Sequence, residues 1–377
     1  MNERIDPSRR QFLTGSGAVL VGGLVAGPIR AEKAAETMIV DEWLKKQVED
    51  APLAMRFHGS KAEECKKWQA EFAVKLRSLL GPHAPPKKWK TTTVRGTDLD
   101  DYRREELVLT ADGHPPLPLY VLTPLKKADK PRPGVLAIHG HGPHGNDPVA
   151  GRDDLPGVAA AIKSANYDYG RQLVRRGYVV AVPCLTPFGR RLGAPASYGK
   201  QDPCAITFLR MQMLGKLLIA ENLRDCLWSL ELLARHPRVD AKRLGCAGLS
   251  YGGRMTMLTA ALEPRVRCAV VSGALNVMQE RIGKLYSCGA QVIPRLLEFG
   301  DVPEIGSLIA PRPCVWEVGS RDKLIDVHRA DDALTRMRRA YKALGVEDQL
   351  QVDRFDGGHE WSGRLGYRLF EKILQGG

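Results

Sequence analysis

Short apolar runs alternate with longer amphipathic segments along the chain from about residue 100 onward. Most apolar runs lack polar alternation, which is typical of parallel strands buried on both faces. The runs that predict strands are Glu106–Thr110, Leu117–Leu122, Gly134–Ile138, Tyr178–Val182, Leu244–Ala247, Val266–Val271, Cys314–Val318 and Gln349–Phe355. The segments that predict helices between them are Tyr167–Arg176, Ala205–Arg235, Ala330–Leu344 and Ser362–Leu374. This alternation predicts an α/β fold with a mostly parallel, doubly wound sheet flanked by helices.

The chain before residue 100 has a different pattern. Residues 36–80 are helical in periodicity, and an apolar stripe there predicts packing onto the main domain; it consists of Trp68, Phe72, Leu76 and Leu79. We therefore divide the chain into a leader over 1–31, a helical N-terminal extension and linker over 32–99, and a catalytic domain over 100–377. Residues 272–311 interrupt the strand–helix rhythm, which predicts an insertion or cap that contributes to a substrate pocket.

The N-terminus resembles a twin-arginine export signal. Ser8-Arg9-Arg10-Gln11-Phe12-Leu13 precedes an uncharged run, rich in glycine and alanine, that is too short and too weakly apolar to span a membrane. Ala26 and Ala31 each end a plausible cleavage site. The resemblance implies transport of the folded protein by the twin-arginine translocase to a periplasmic or extracellular location. The alternative is an N-terminal tail that is disordered or helical.

A strand–turn–helix segment at Arg243–Gly253 carries the strongest chemical signal. Its apolar part, Leu244–Ala247, runs into the turn Gly248-x-Ser250-x-Gly252, which has the pattern of a nucleophile elbow. A serine raised on such a turn brings neighbouring backbone close to the following helix, so side chains at the two glycine positions would clash. Ser250 is therefore the candidate nucleophile.

A serine nucleophile needs a base, and the base is commonly a histidine oriented by a carboxylate. On this type of fold the chain order is serine, acid, histidine. Asp322 follows a predicted strand and is the candidate acid, with Asp326 as the rival four residues on. His359 follows the last predicted strand and is the candidate base, with His328 as the other histidine after the elbow.

The oxyanion of an acyl-transfer intermediate needs two backbone donors. The residue after the nucleophile, Tyr251, supplies one candidate N–H, and His141 supplies the other from the His-Gly-His-Gly run that follows the strand ending at Ile138. A rival interpretation of the same run is a metal site, since His139, His141 and His144 lie close together along the chain.

Composition narrows the class of protein. The chain has 377 residues, 44% hydrophobic content and a net charge of +13, but lysine and arginine are scattered and form no basic helix. We therefore expect a solvated basic surface and no nucleic-acid site. Four of the eight cysteines lie in or beside predicted strands, as buried free thiols would: Cys184, Cys246, Cys268 and Cys314. The sequence leaves one disulfide possible among the remaining four cysteines, which are Cys65, Cys204, Cys226 and Cys288.

Together these motifs resemble the α/β-hydrolase superfamily, close to its dienelactone-hydrolase-like and acetyl-xylan-esterase-like branches. The resemblance covers about residues 100–377 and rests on His139-Gly140, the elbow with Gly253, the loop from Gly319 to Asp322, and Asp356-Gly-Gly-His359. Dienelactone hydrolases proper carry a cysteine nucleophile, whereas this chain has Ser250. That departure favours ester hydrolysis over lactone opening.

The resemblance implies an exported serine esterase that removes acyl groups, acetyl groups among them, from polysaccharide. We expect it to act on a small-molecule or carbohydrate ester without a metal or organic cofactor, and without a stable membrane span. Two alternatives stay open. One is an amidase or peptidase on the same fold, and the other is a non-catalytic binding protein on a hydrolase scaffold.

Overall fold

A computed structural model describes residues 40–284, 287–325 and 327–376. The leader sequence and the rival acid Asp326 lie outside the described residues. The strands of the described part form one mixed sheet. They are β1 Lys90–Asp98, β2 Tyr102–Thr110, β3 Leu117–Pro124, β4 Arg132–Ile138, β5 Val179–Pro183, β6 Val239–Leu249, β7 Val266–Ser272, β8 Cys314–Gly319 and β9 Leu350–Phe355.

The sheet has the order β1-β2-β3-β5-β4-β6-β7-β8-β9. Strands β1, β2 and β3 form an antiparallel meander that joins β5 in antiparallel pairing. The strands from β5 to β9 in this order are parallel, with β4 central and β6 beside it. The prediction of a mostly parallel sheet flanked by helices is confirmed. The carboxyl ends of the parallel strands meet at one edge, where ligands bind in open α/β sheets.

Helices cover both faces of this sheet. They are α1 Val40–Glu49, α2 Ala62–Leu80, α3 Val158–Ala165, α4 Tyr169–Arg175, α5 Pro203–Met213, α6 Leu218–Ala234, α7 Tyr251–Leu262, α8 Met278–Lys284, α9 Leu296–Phe299, α10 Val302–Ser307, α11 Val327–Ala343 and α12 Arg364–Phe370. Strand β4 shows the two layers, because Leu136 and Ile138 pack into one core while Val135 and Ala137 pack into the other. Both faces of β4 are therefore buried, as its unbroken apolar run predicts.

The N-terminal segment differs from its prediction in two respects. Strand β1 lies within the stretch assigned to the helical extension and linker, and it pairs with β2 as an edge strand of the main sheet. In α2, Trp68, Phe72 and Leu76 are buried as predicted, but Leu80 completes the stripe and Leu79 is only partly buried. A step of four residues keeps each side chain on nearly the same face of a helix, so Leu80 continues the 68–72–76 series.

The helical segment predicted over Ala205–Arg235 is two helices, α5 and α6, separated by a turn at Gly215, where φ is +67°. Within the part of the chain that the structure describes, no single helix is long and apolar enough to span a membrane. Only α5 and α6 together reach that length and composition, and they meet at 97°. The interrupted rhythm predicted for residues 272–311 corresponds to the short helices α8, α9 and α10.

All eight cysteines are buried and free. The prediction of buried thiols at Cys184, Cys246, Cys268 and Cys314 is confirmed. The other four cysteines, for which one disulfide was possible, form none. Cys204 and Cys288 nevertheless come close together, because α5 and a turn at Gly289–Gln291 pack against each other.

Candidate active site

Ser250 lies between β6 and α7 in a backbone conformation that few side chains adopt. Its φ is +63° and its ψ is −120°, and it is one of four residues other than glycine with positive φ in the described chain. Such a conformation costs about 1–3 kcal/mol and persists only where the surroundings enforce it. The turn therefore holds the serine hydroxyl off the end of the sheet at a measurable energetic cost.

The glycines of the turn permit this conformation. A Cβ built on Gly252 would lie 1.9 Å from the carbonyl oxygen of Ile138, and one on Gly248 would lie 2.4 Å from the carbonyl oxygen of Gly252. Both contacts are with backbone atoms, which cannot rotate away as a side chain would. The close approach of α7 to β4 thus requires glycine at both positions, as the motif predicts.

His359 and Asp322 come together at the same edge of the sheet. The ring Nδ1 of His359 lies 2.7 Å from Oδ2 of Asp322, whose side chain is 1% exposed. The other carboxylate oxygen accepts a hydrogen bond from the N–H of Leu324 at 2.8 Å. Asp322 is therefore fixed at both oxygens, and a proton on Nδ1 of His359 leaves Nε2 as an acceptor.

Nε2 of His359 is buried and has no hydrogen-bond partner within the described chain. His359 and Ser250 line the same cavity of about 450 Å³, together with His141, Arg254 and Arg281. They also border a neighbouring cavity of about 230 Å³ beside His144. The unpaired ring nitrogen thus belongs to a residue that borders the same two cavities as Ser250.

A buried carboxyl group supports the loop that carries His359. Glu317 on β8 accepts hydrogen bonds from the N–H groups of Ser362 at 3.2 Å and Gly363 at 2.8 Å. Burial raises its pKa from 4.5 to about 7. Glu317 joins the sheet to the segment after His359, and its protonation state is sensitive to pH in the neutral range.

The loop after β4 is held by its own backbone and by Tyr167. The Gly140 N–H donates to the Tyr167 hydroxyl at 2.6 Å, and His139 is fully buried. The N–H of Leu185 donates to Nε2 of His139 at 2.9 Å, so the ring proton is on Nδ1, 2.7 Å from the carbonyl of Gly140. Burial lowers the pKa of His139 to about 4, which keeps the ring neutral. His139 therefore has a structural position and does not converge with the other histidines of the run on one ligand.

Of the two candidate oxyanion donors, His141 lines the cavity and Tyr251 directly follows Ser250, which also lines it. The Tyr251 N–H is the first of α7, where no intrahelical acceptor exists. His141 lies opposite on the β4 loop, with its ring 5.0 Å from that of Tyr251. The hydroxyl of Tyr251 accepts a hydrogen bond from Asn222 at 2.8 Å, which fixes the side chain away from the cavity.

Comparison with known proteins finds similarity in sequence and in fold. Residues 153–283, which include the elbow, match the dienelactone hydrolase family. The fold is that of the α/β-hydrolases, and the matched segment is similar to the dienelactone hydrolase family. The chain is also 29% identical over 303 residues to YtaP of Bacillus subtilis (strain 168), which is named as a hydrolase; the match covers 77% of this chain and 94% of YtaP.

Several solved structures with a similar fold are described as esterases. A structure from Bacteroides fragilis NCTC 9343 described as an acetyl xylan esterase has a TM-score of 0.72, 18% identity, and coverage of 86% of this chain and 84% of its own. A glucuronoyl esterase from Teredinibacter turnerae T7901 has a TM-score of 0.58, 19% identity, and coverage of 87% and 89%. At these identities the likeness establishes the fold alone.

One cavity residue, Arg254, was not predicted from the sequence. Arg254 is 3% exposed, donates to Oδ1 of Asn276, and has Nε and Nη1 without hydrogen-bond partners in the described chain. Burial lowers its pKa to about 10, so the guanidinium remains charged at neutral pH. The only available signal was an arginine four residues after Ser250, one helical turn along α7. Its side chain gives the cavity a positively charged wall.

Proposed function

We propose that this chain is a serine carboxylic ester hydrolase, with Ser250 as nucleophile, His359 as general base and acid, and Asp322 as the orienting carboxylate. The observation that carries the proposal is the convergence of the strained Ser250 and the Asp322–His359 pair on one cavity. The dienelactone hydrolase family match over the elbow supports it.

In the first half-reaction Oγ of Ser250 attacks the ester carbonyl carbon while Nε2 of His359 takes the hydroxyl proton. The hydrogen bond from Nδ1 to Asp322 holds the ring in the correct tautomer and stabilises the imidazolium that forms. Collapse of the tetrahedral intermediate breaks the bond to the alcohol, which leaves with the proton from Nε2. Water then attacks the acyl-enzyme by the same steps and releases the carboxylic acid.

The tetrahedral intermediate carries a negative charge on the former carbonyl oxygen. We assign its stabilisation to the backbone N–H groups of Tyr251 and His141, which belong to a helix N-terminus and to the β4 loop at the cavity. The helix dipole of α7 adds partial positive charge at the same point. Loss of one such donor typically costs about 10²–10³ in turnover.

The substrate class proposed is an ester on a carbohydrate, with acetyl groups on polysaccharide as the first candidates. Structural neighbours described as acetyl xylan and glucuronoyl esterases support this choice. A cavity of about 450 Å³ accommodates an acyl group and part of a sugar ring.

Activity assays test the function directly. Purified protein is expected to hydrolyse acetyl esters in a panel of acetyl, longer acyl and aryl esters with matching amides. Ser250→Ala should abolish ester turnover, whereas Ser164→Ala, which removes an exposed hydroxyl at the neighbouring cavity, should retain it. Turnover of amides but no esters, or full ester turnover by Ser250→Ala, would overturn the assignment.

We also propose that the protein is exported by the twin-arginine route, on the basis of Arg9-Arg10 and the uncharged run that follows. Replacing both arginines with lysine should retain the precursor in the cytoplasm in a fractionation assay. Unchanged export of that variant would contradict the proposal.

A further inference from the structure

Three side chains with metal-binding atoms meet beside the cavity that Ser250 and His359 line, and two of them belong to its lining. His141 comes from the β4 loop, Cys204 from the first turn of α5, and Cys288 from the turn before Gly289–Gln291. Their ligand atoms all lie within 4.8 Å of one another, and Nε2 of His141 is 2.7 Å from Sγ of Cys288. In the part of the chain that the structure describes, no other cluster of three histidine, cysteine or acidic side chains has this geometry.

The packing around the cluster fixes its orientation. Cys204 and Cys288 are 4% and 6% exposed. The ring of His141 is held between Phe188 at 5.2 Å and Tyr251 at 5.0 Å, measured between ring centroids. Three distant parts of the sequence therefore present one nitrogen and two sulfur atoms to a common point, and the proposed ester chemistry uses none of these side-chain atoms.

The donor set selects a class of metal ion. One imidazole and two thiolates suit a borderline-soft divalent cation, and Zn²⁺ in particular. Tetrahedral Zn²⁺ with bonds of about 2.0–2.3 Å places its ligand atoms roughly 3.5–3.8 Å apart. Here one pair is 2.7 Å apart and all three atoms lie within 4.8 Å of one another, so side-chain movements of about 1 Å would bring them to that spacing.

We propose that His141, Cys204 and Cys288 form a binding site for one Zn²⁺ ion, with the fourth coordination position open to the cavity. His141 and Cys288 both line that cavity, which gives the ion a route of entry and room for a water ligand. The ion binds the thiolate forms of the cysteines, so each ion bound releases up to two protons to solvent. A bound ion would tie the β4 loop to α5 and to the turn after residue 287.

Cobalt titration of the reduced, metal-free full chain tests this site independently of ester turnover. One equivalent of Co²⁺ should produce thiolate-to-metal charge-transfer absorption and the intense visible bands of tetrahedral Co²⁺. One equivalent of Zn²⁺ should displace the Co²⁺ and abolish both. In a separate titration, one equivalent of Zn²⁺ added to the metal-free chain should release up to two protons. Cys204→Ser, Cys288→Ser and His141→Gln should each weaken Co²⁺ binding by more than about 100-fold, beyond the typical effect of a residue that only orients a ligand.

Two matched variants serve as controls. Cys65→Ser replaces a buried thiol that donates a hydrogen bond to the carbonyl oxygen of Ala340. His144→Gln replaces another histidine of the β4 loop that carries His141. Both should retain one equivalent of bound Co²⁺ with the wild-type spectrum. A wild-type titration without charge-transfer absorption, or unchanged binding after loss of both Cys204 and Cys288, would overturn the proposal. The wild-type spectrum decides the question even if a variant does not fold.

Discussion

At the residue scale, two carboxylates near His359 differ in burial and in hydrogen bonding. Asp322 is almost fully buried and accepts hydrogen bonds at both oxygens, so its orientation is fixed. Asp356, three residues before the histidine, is 83% exposed at its side chain and pairs with Arg321 at the surface. Asp356 is close to His359 in sequence and Asp322 is close to it in space. Among the described residues, only Asp322 of the two contacts the His359 ring.

Replacing Asp322 with Asn should keep the fold but disturb the tautomer of His359, because the amide can donate to Nδ1 as well as accept from it. We expect a loss of up to ~10⁴ in kcat. The measurement is steady-state turnover of an acetyl ester. Asp356→Asn is the matched control and should change kcat by less than about tenfold. A reversed order of the two effects would assign the acid to a different residue.

At the element scale, the elbow depends on how closely α7 approaches β4. A methyl group added at Gly252 would lie only 1.9 Å from the carbonyl oxygen of Ile138, whereas one added at Gly358, on the His359 loop, would meet no atom within 4 Å. Comparing alanine substitutions at Gly252 and Gly358 therefore distinguishes the effect of close packing from the general effect of replacing glycine.

Gly252→Ala should destabilise the fold by about 1–3 kcal/mol or more, since the new methyl group forces backbone atoms apart. The expected result is a clear fall in the urea midpoint, measured by circular dichroism, accompanied by loss of ester turnover. Gly358→Ala should leave the urea midpoint close to wild type. Equal midpoints for wild type and Gly252→Ala would show that α7 does not approach β4 as described.

The elements that sequence predicted well are those with a hydrophobic pattern of their own. The central strands are continuous apolar runs, and the elbow has glycines required by sterics. Strand β1 was not predicted because it is a polar edge strand. Eight of its nine residues are exposed and the remaining one is partly buried, so the strand has no apolar alternation although it pairs with β2. The burial of Arg254 and the meeting of Cys204 with Cys288 depend on tertiary packing, which no local pattern encodes.

At the scale of the whole molecule, buried ionisable groups couple stability to pH. Glu317 is fully buried and its folded-state pKa of about 7 lies above the ordinary value of 4.5. Between those values the folded chain retains a proton that the unfolded chain releases. The contribution of Glu317 to stability is therefore greatest below about pH 4.5 and is lost as pH rises to about 7.

Glu317→Gln should reduce this dependence, because the amide resembles the protonated acid. The difference between about 4.5 and about 7 corresponds to roughly 3 kcal/mol. The check is the free energy of urea unfolding at pH 5 and pH 8. The fall between the two pH values should be smaller in Glu317→Gln than in wild type. Glu347→Gln, at an exposed position, should follow wild type, and a Glu317→Gln profile parallel to wild type would contradict the assignment.

Covalent labelling tests the central claim most directly. The account predicts that a fluorophosphonate probe modifies the folded protein once, that peptide mass spectrometry places the adduct on Ser250, and that Ser250→Ala is not labelled although its melting temperature is close to wild type. Absence of labelling in active wild-type protein, or an adduct that persists in Ser250→Ala, would contradict the identification of this chain as a serine hydrolase.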